Sequence, residues 1–167
     1  MVGFTRKAEG MDQHSLTQWL NRYLNTMAEI ALRHGGTLDK FIGDSVMVFY
    51  GDPTSKGIQQ DAPDCLRMAL EMRDASLRDS VDVRMGINSG DCVVGNFGSE
   101  NRMDYTIIGR DVNLASRLES NAEPNSILIS ESTYNLVKDQ VICEPHGEIR
   151  MKGIDRDVMT YVAVKYK

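Results

Sequence analysis

Lys40 and Asp44 stand four apart in LDKFIGDSVMVFYGDP, residues 38–53, on either side of Gly43 and just before an apolar run. At the tip of a hairpin, such a lysine could read a base and such an aspartate could hold a metal ion. The same two residues also describe an ordinary polar turn, because aspartate caps turns and tolerates unusual backbone angles. A second candidate pair lies in YTIIGRDVNLASRLE, residues 105–119. There Asn113 and Arg117 share one face of an expected helix. Arg117 can offer a planar fork of donors to phosphate oxygens, and Asn113 can hydrogen-bond a sugar. A solvated helix face opposite an inward stripe of Val112, Ala115 and Leu118 accounts for the same spacing. The third candidate is MVGFT, residues 1–5, where a glycine between strand and helix could let backbone N–H groups approach a phosphate.

The elements that would carry these residues follow from periodicity. Leu16, Trp19, Leu20, Tyr23, Leu24, Met27, Ile30 and Ala31 recur at helical steps and predict a helix over 15–34. Ser15 with Gln18 fits a capping box at its start, and Gly35-Gly36 fits its end. Strands are expected at 37–41 and 45–50, joined through Ile42-Gly43-Asp44. A second helix is expected from about Asp61 to Leu77, with Ala62, Cys65, Leu66, Ala69 and Met72 inward. Strands at 81–87, 91–97 and 103–108 flank an exposed GSENR tip. A helix from Asp111 to about Ala122, the strand SILIS, a short helix at 131–138 and two late strands complete the chain. Mixed helices and hairpin-length connections predict an α+β sandwich with helices on a largely antiparallel sheet.

Composition narrows the class. The 167 residues suit a single domain with a real core, and the apolar and charged fractions, 41% and 26%, are those of a globular protein. A net charge of −5 argues against a nucleic-acid partner but is compatible with a nucleotide substrate held through a metal. Cys65, Cys92 and Cys143 are widely spaced with no CxxC, so a disulfide framework or zinc site is not expected and a reducing, cytoplasmic setting fits. No apolar run approaches the roughly 20 residues of a membrane span, so a tether is expected only outside these residues. GxxxxGK[ST] is absent, which removes a P-loop enzyme.

Taken together, the segments resemble the catalytic domain of class III nucleotidyl cyclases, especially the bacterial adenylate cyclase branch. The resemblance runs from Val2 to about Tyr166. It includes GFT at 3–5, GGTLDKFIGDSVMVFYG at 35–51, VRMGINSG at 83–90, VGNFGSENRMDYTIIGRDVNLASRLES at 94–120, ILIS at 127–130 and MKG at 151–153. It implies a ferredoxin-like (βαββαβ) sandwich with extra C-terminal elements and a β-hairpin dimerisation arm at 97–104. It also implies conversion of ATP to 3′,5′-cyclic AMP and pyrophosphate, assisted by two divalent cations, Mg²⁺ or Mn²⁺.

By the same resemblance Asp44 is a metal ligand. Lys40 donates to adenine N1, and Thr106 accepts from the N6 amine. Asn113 orients the ribose, and Arg117 stabilises charge on the α-phosphate. Phe4 and Thr5 lie in a phosphate-contacting loop, and Lys152 lies near a triphosphate-binding lysine. The site is expected at a head-to-tail homodimer interface. One chain would supply the metal aspartates and Lys40, the other Asn113 and Arg117. An upstream sensor or membrane module is a further expected partner. The family pattern also has an aspartate just before the position of Met1. That first metal ligand and most of a first strand are absent from the sequence, so the chain is expected to be a piece of a longer enzyme with little activity of its own. A catalytically impaired regulatory or nucleotide-binding domain is the alternative, and a guanylate cyclase is disfavoured by Lys40.

Overall fold

The computed structural model describes residues 1–150 and 153–167. In chain order the elements are α1 (Phe4–Glu9), α2 (Gln13–Arg33), β1 (Thr37–Ile42), β2 (Ser45–Phe49), α3 (Ile58–Arg78), β3 (Met85–Ile87), β4 (Val93–Ser99), β5 (Arg102–Ile108), α4 (Arg110–Asn121), β6 (Ile127–Ser130), α5 (Glu131–Val137), β7 (Val141–Ile149) and β8 (Val158–Tyr166). The α+β class expected from the sequence is the one observed. Among the described residues, pairing falls into three sets: a four-stranded sheet in the order β3-β6-β8-β7, and the separate hairpins β1-β2 and β4-β5. All ladders are antiparallel except β3 with β6.

The core is layered around β6, whose four residues are all buried. Ile127 and Ile129 face Leu66, Ala69 and Leu70 of α3 together with Val137 of α5. Leu128 points the other way, against Leu118 of α4 and Ala122. A strand covered on both faces reads as continuous apolar sequence, which is why ILIS was recognisable. A second cluster joins Met27, Ile30 and Ala31 of α2 to Met68, Met72 and Ala75 of α3, with Val46 and Val48 of β2 packed against it. The hairpin that carries Lys40 and Asp44 is therefore held to the body by the helix pair.

Three expectations need correction. Asp12, rather than Ser15, caps α2: its carboxylate accepts from the amides of His14 and Ser15 and from the Ser15 hydroxyl. A carboxylate satisfies more of the orphan N–H groups than one hydroxyl, and these bonds hold its pKa below the usual range. The strand expected over 81–87 begins only at Met85, because the preceding backbone bonds to loops: Val83 accepts from Asn125, and Asp82 accepts from Val2. Finally, Phe4 and Thr5 open the short helix α1 rather than forming a loop. The Phe4 ring stacks on Trp19 of α2, and the Lys7 ammonium lies over the same indole, so α2 offers α1 a platform.

Candidate active site

Asp44 sits in a two-residue turn between Ile42 and Ser45, which pair across the hairpin. The first turn residue must take positive φ, and Gly43 does so at 60°. This places the Asp44 carboxylate at the tip, where it pairs with the Met1 ammonium. Tyr23 of α2 lies behind it. Burial pushes the Tyr23 hydroxyl up to about 12, and the Asp44 charge adds to the shift. No group of three or more His, Cys, Asp or Glu side chains among the described residues could hold a metal. The Asp44 carboxylate is of the kind that could hold a cation completed by substrate oxygens.

Lys40 and Thr106 are brought together by a residue that the sequence reading passed over. Leu38 pairs with Val48 and Lys40 with Met47, so Asp39 is the extra residue of a β-bulge. In a regular strand neighbouring side chains point to opposite faces; a bulge breaks that alternation. Asp39 consequently turns across to β5. Its side chain is 1% exposed, and its Oδ2 accepts from the Thr106 hydroxyl at 2.6 Å and the Ile107 amide at 3.4 Å. Lys40 Nζ stands 3.3 Å from Asp39 Oδ1 while remaining half-exposed. Thr106 itself is 6% exposed. The only local sign in the sequence was an acid next to Lys40, which carries no mark of a bulge.

Asn113 and Arg117 lie on α4 as expected, both exposed. Among the described residues, neither side chain has a hydrogen-bond partner. The helix beneath them is firmly seated. Gly86 of β3 lets it approach: a Cβ there would fall 2.1 Å from the Glu119 amide nitrogen and 2.3 Å from the Ala115 carbonyl. At the start of α4, the Asn88 amide donates at 3.0 Å to both the carbonyl and the carboxylate of Asp111, and Ser130 donates to Asn88 Oδ1 at 2.6 Å. The β4-β5 hairpin contains the segment 97–104 expected as an arm, and Val93, Met103, Tyr105 and Ile108 along it are exposed. Lys152 lies outside the described residues.

The fold agrees with the comparisons. The family model described as the adenylate and guanylate cyclase catalytic domain matches residues 1–165. The chain belongs to this family. It is 32% identical over 162 residues to adenylate cyclase 1 of Rhizobium meliloti, covering 90% of this chain but 24% of that protein. The chain thus spans about a quarter of that relative's length. The crystal structure of the adenylyl cyclase CyaB from P. aeruginosa superimposes with a TM-score of 0.93 at 48% identity, covering 99% of this chain and 90% of the other. The guanylate cyclase domain of RhGC from Catenaria anguillulae, solved with GTP, follows at 0.90 and 26% identity, covering 99% and 92%. Relatives named for ATP chemistry and for GTP chemistry share the fold, so the purine must be decided by side chains.

Proposed function

We propose that the protein is an adenylate cyclase: it closes ATP to 3′,5′-cyclic AMP and releases pyrophosphate, in sites shared between two copies of the chain in the cytoplasm. The observation that carries this reading is the juxtaposition of Lys40 and Thr106, through Asp39, across 67 residues of sequence separating Asp39 from Thr106. Lysine donates only, which suits the N1 acceptor of adenine and opposes the N1–H of guanine. A Thr106 oxygen can accept from the N6 amine. A wrong base would leave these groups unpaired in a half-buried place, and such mismatches discriminate strongly.

In the reaction the ribose 3′-oxygen bonds to the α-phosphorus as the bond to the bridging oxygen breaks. The 3′-hydroxyl proton goes to water, and the leaving electron pair stays on pyrophosphate. Arg117 would fork onto the α-phosphate oxygens, where charge builds during displacement. Asn113 would hold the ribose so that its 3′-oxygen lies in line. Asp44 would hold a divalent cation, which when bound acidifies the 3′-hydroxyl and neutralises phosphate charge.

The Asp39 bridge also bears on which chain does what. Lys40 and Thr106 are tied into one chain's share of the site, and β5 leads from Thr106 through Gly109 directly into α4. We therefore assign both base readers, with Asn113 and Arg117, to one chain and Asp44 to its mate, in place of the division expected from the sequence. The exposed apolar residues Val93 and Ile108 on the arm, with Phe41 and Ile42 beside the hairpin tip, supply a surface for that pairing.

The test offers ATP and GTP separately with Mn²⁺ and identifies the cyclic product by mass spectrometry. Cyclic AMP is expected from ATP, with at least about tenfold less product from GTP. Cyclic GMP as the main product would overturn the reading. Tight ATP binding with no product would instead establish a nucleotide-binding domain with impaired chemistry.

A further inference from the structure

Lys40 and Thr106 are not the whole of the selection device, because a threonine hydroxyl can donate as well as accept. Facing adenine it must accept from N6; facing guanine it could donate to O6. Left to rotate, Thr106 would serve either purine. Its proton is not left to rotate. The hydroxyl donates to Asp39 Oδ2 at 2.6 Å, a short charge-assisted contact to a group that can only accept. The remaining lone pairs of the Thr106 oxygen are then what the residue can offer to anything else.

Resting on the reading of Lys40 and Thr106 as base contacts, we propose that Asp39 is a positioning residue that holds the hydroxyl proton of Thr106, so that Thr106 meets the purine as an acceptor alone and adenine is selected over guanine. Two further features fit. Oδ1 of Asp39 is buried with no hydrogen-bond donor, although Lys40 Nζ is 3.3 Å away. The ammonium is attracted to the carboxylate while its protons stay available for a base. A buried carboxylate is also costly, and one of its oxygens lacking a donor adds to that cost, so stability alone does not explain it. The bulge is the backbone device that makes the arrangement possible, since it lets Asp39 and its neighbour Lys40 serve the same place.

The test measures kcat/KM for ATP and GTP, and displacement of a fluorescent ATP analogue by each nucleotide, in the wild type and three variants. In Asp39→Ala no side-chain oxygen is left to accept from Thr106, and the hydroxyl proton is free to face the base. The ATP:GTP ratio is expected to fall about tenfold or more, mainly through KM for ATP and with little change in kcat. Adding Thr106→Asp to Asp39→Ala is expected to return the ratio toward wild type, because a carboxylate at 106 accepts without help. A merely structural role for Asp39 would give no such rescue.

Thr106→Asn with Asp39 intact is expected to keep the ATP preference, since Asp39 takes the amide N–H and leaves the carbonyl for the base. That variant decides the matter if Asp39→Ala does not fold. A wild-type ratio in folded Asp39→Ala, or a lost ATP preference in Thr106→Asn, overturns the proposal and leaves the cyclase reading standing. A wild type that shows no preference for ATP in turnover or binding overturns both.

Discussion

The proposed base-reading corner and the proposed phosphate-facing helix of this protein are built on opposite plans. Lys40, Asp39 and Thr106 are knitted together within one chain, partly buried and mutually bonded. Asn113 and Arg117 stand exposed, without partners among the described residues, on a helix whose backbone is tightly seated. The difference fits what the proposed function asks of each region. Telling adenine from guanine means fixing which atoms donate before the base arrives. Meeting a charge that develops only during bond formation needs a strong donor on a rigid base, and a substrate or partner chain can complete its surroundings.

The most direct way to break this comparison is Arg117→Ala. With no side-chain bond to lose among the described residues, it is expected to lower kcat by roughly 100–1000-fold while leaving the thermal midpoint within error. A clear loss of thermal stability would show that Arg117 is part of the protein's own framework. Chain pairing comes next. Mixing Asp44→Ala with Arg117→Ala chains should restore about a quarter of wild-type activity, because about half the dimers are mixed and each holds one intact site. Mixing Asp44→Ala with Lys40→Ala should restore activity equally if the base readers travel with Arg117. Rescue in the first mixture alone would return Lys40 to the aspartate's side.

Gly86→Ala tests the claim that the helix under the exposed residues is rigidly placed. The added methyl would meet backbone atoms of α4 that cannot yield separately. A loss of about 3 kcal/mol is expected from denaturant unfolding, together with a fall in kcat from displacement of Arg117. The smallest effect is expected away from both regions. His34 and Arg33 bond to Glu71 and hold its carboxyl below the usual glutamate range, yet the pair is largely solvated. Glu71→Gln should therefore cost only a few tenths of a kcal/mol at pH 7. Because the folded-state pKa is depressed, that difference is full above the ordinary value near 4.5 and disappears as pH falls through the folded-state value. The ATP:GTP ratio should not move, and a change there would show that selection is not confined to the Asp39 corner.

Much of this was readable in residue order because it rests on local rules. The α2 stripe, the buried ILIS strand and the Gly43-Asp44 turn each carry their period or backbone demand in adjacent residues. Where two local signals competed, as for Asp12 and Ser15 at the start of α2, the group able to satisfy more amides prevailed. Residues 81–84 alternate like a strand, but a strand needs a neighbour, and their backbone groups found loops.

Residue types and spacing marked Lys40, Asp44, Asn113 and Arg117 as groups able to do chemistry, on a turn and a helix face, but left an ordinary polar turn and a solvated helix face open until the family resemblance was added. Only the tertiary structure decided that Asp39 leaves its strand's alternation and grips Thr106. A bulge is a property of register between two strands, and a hydroxyl's donor direction depends on what faces it across the fold, so neither is written in any one segment.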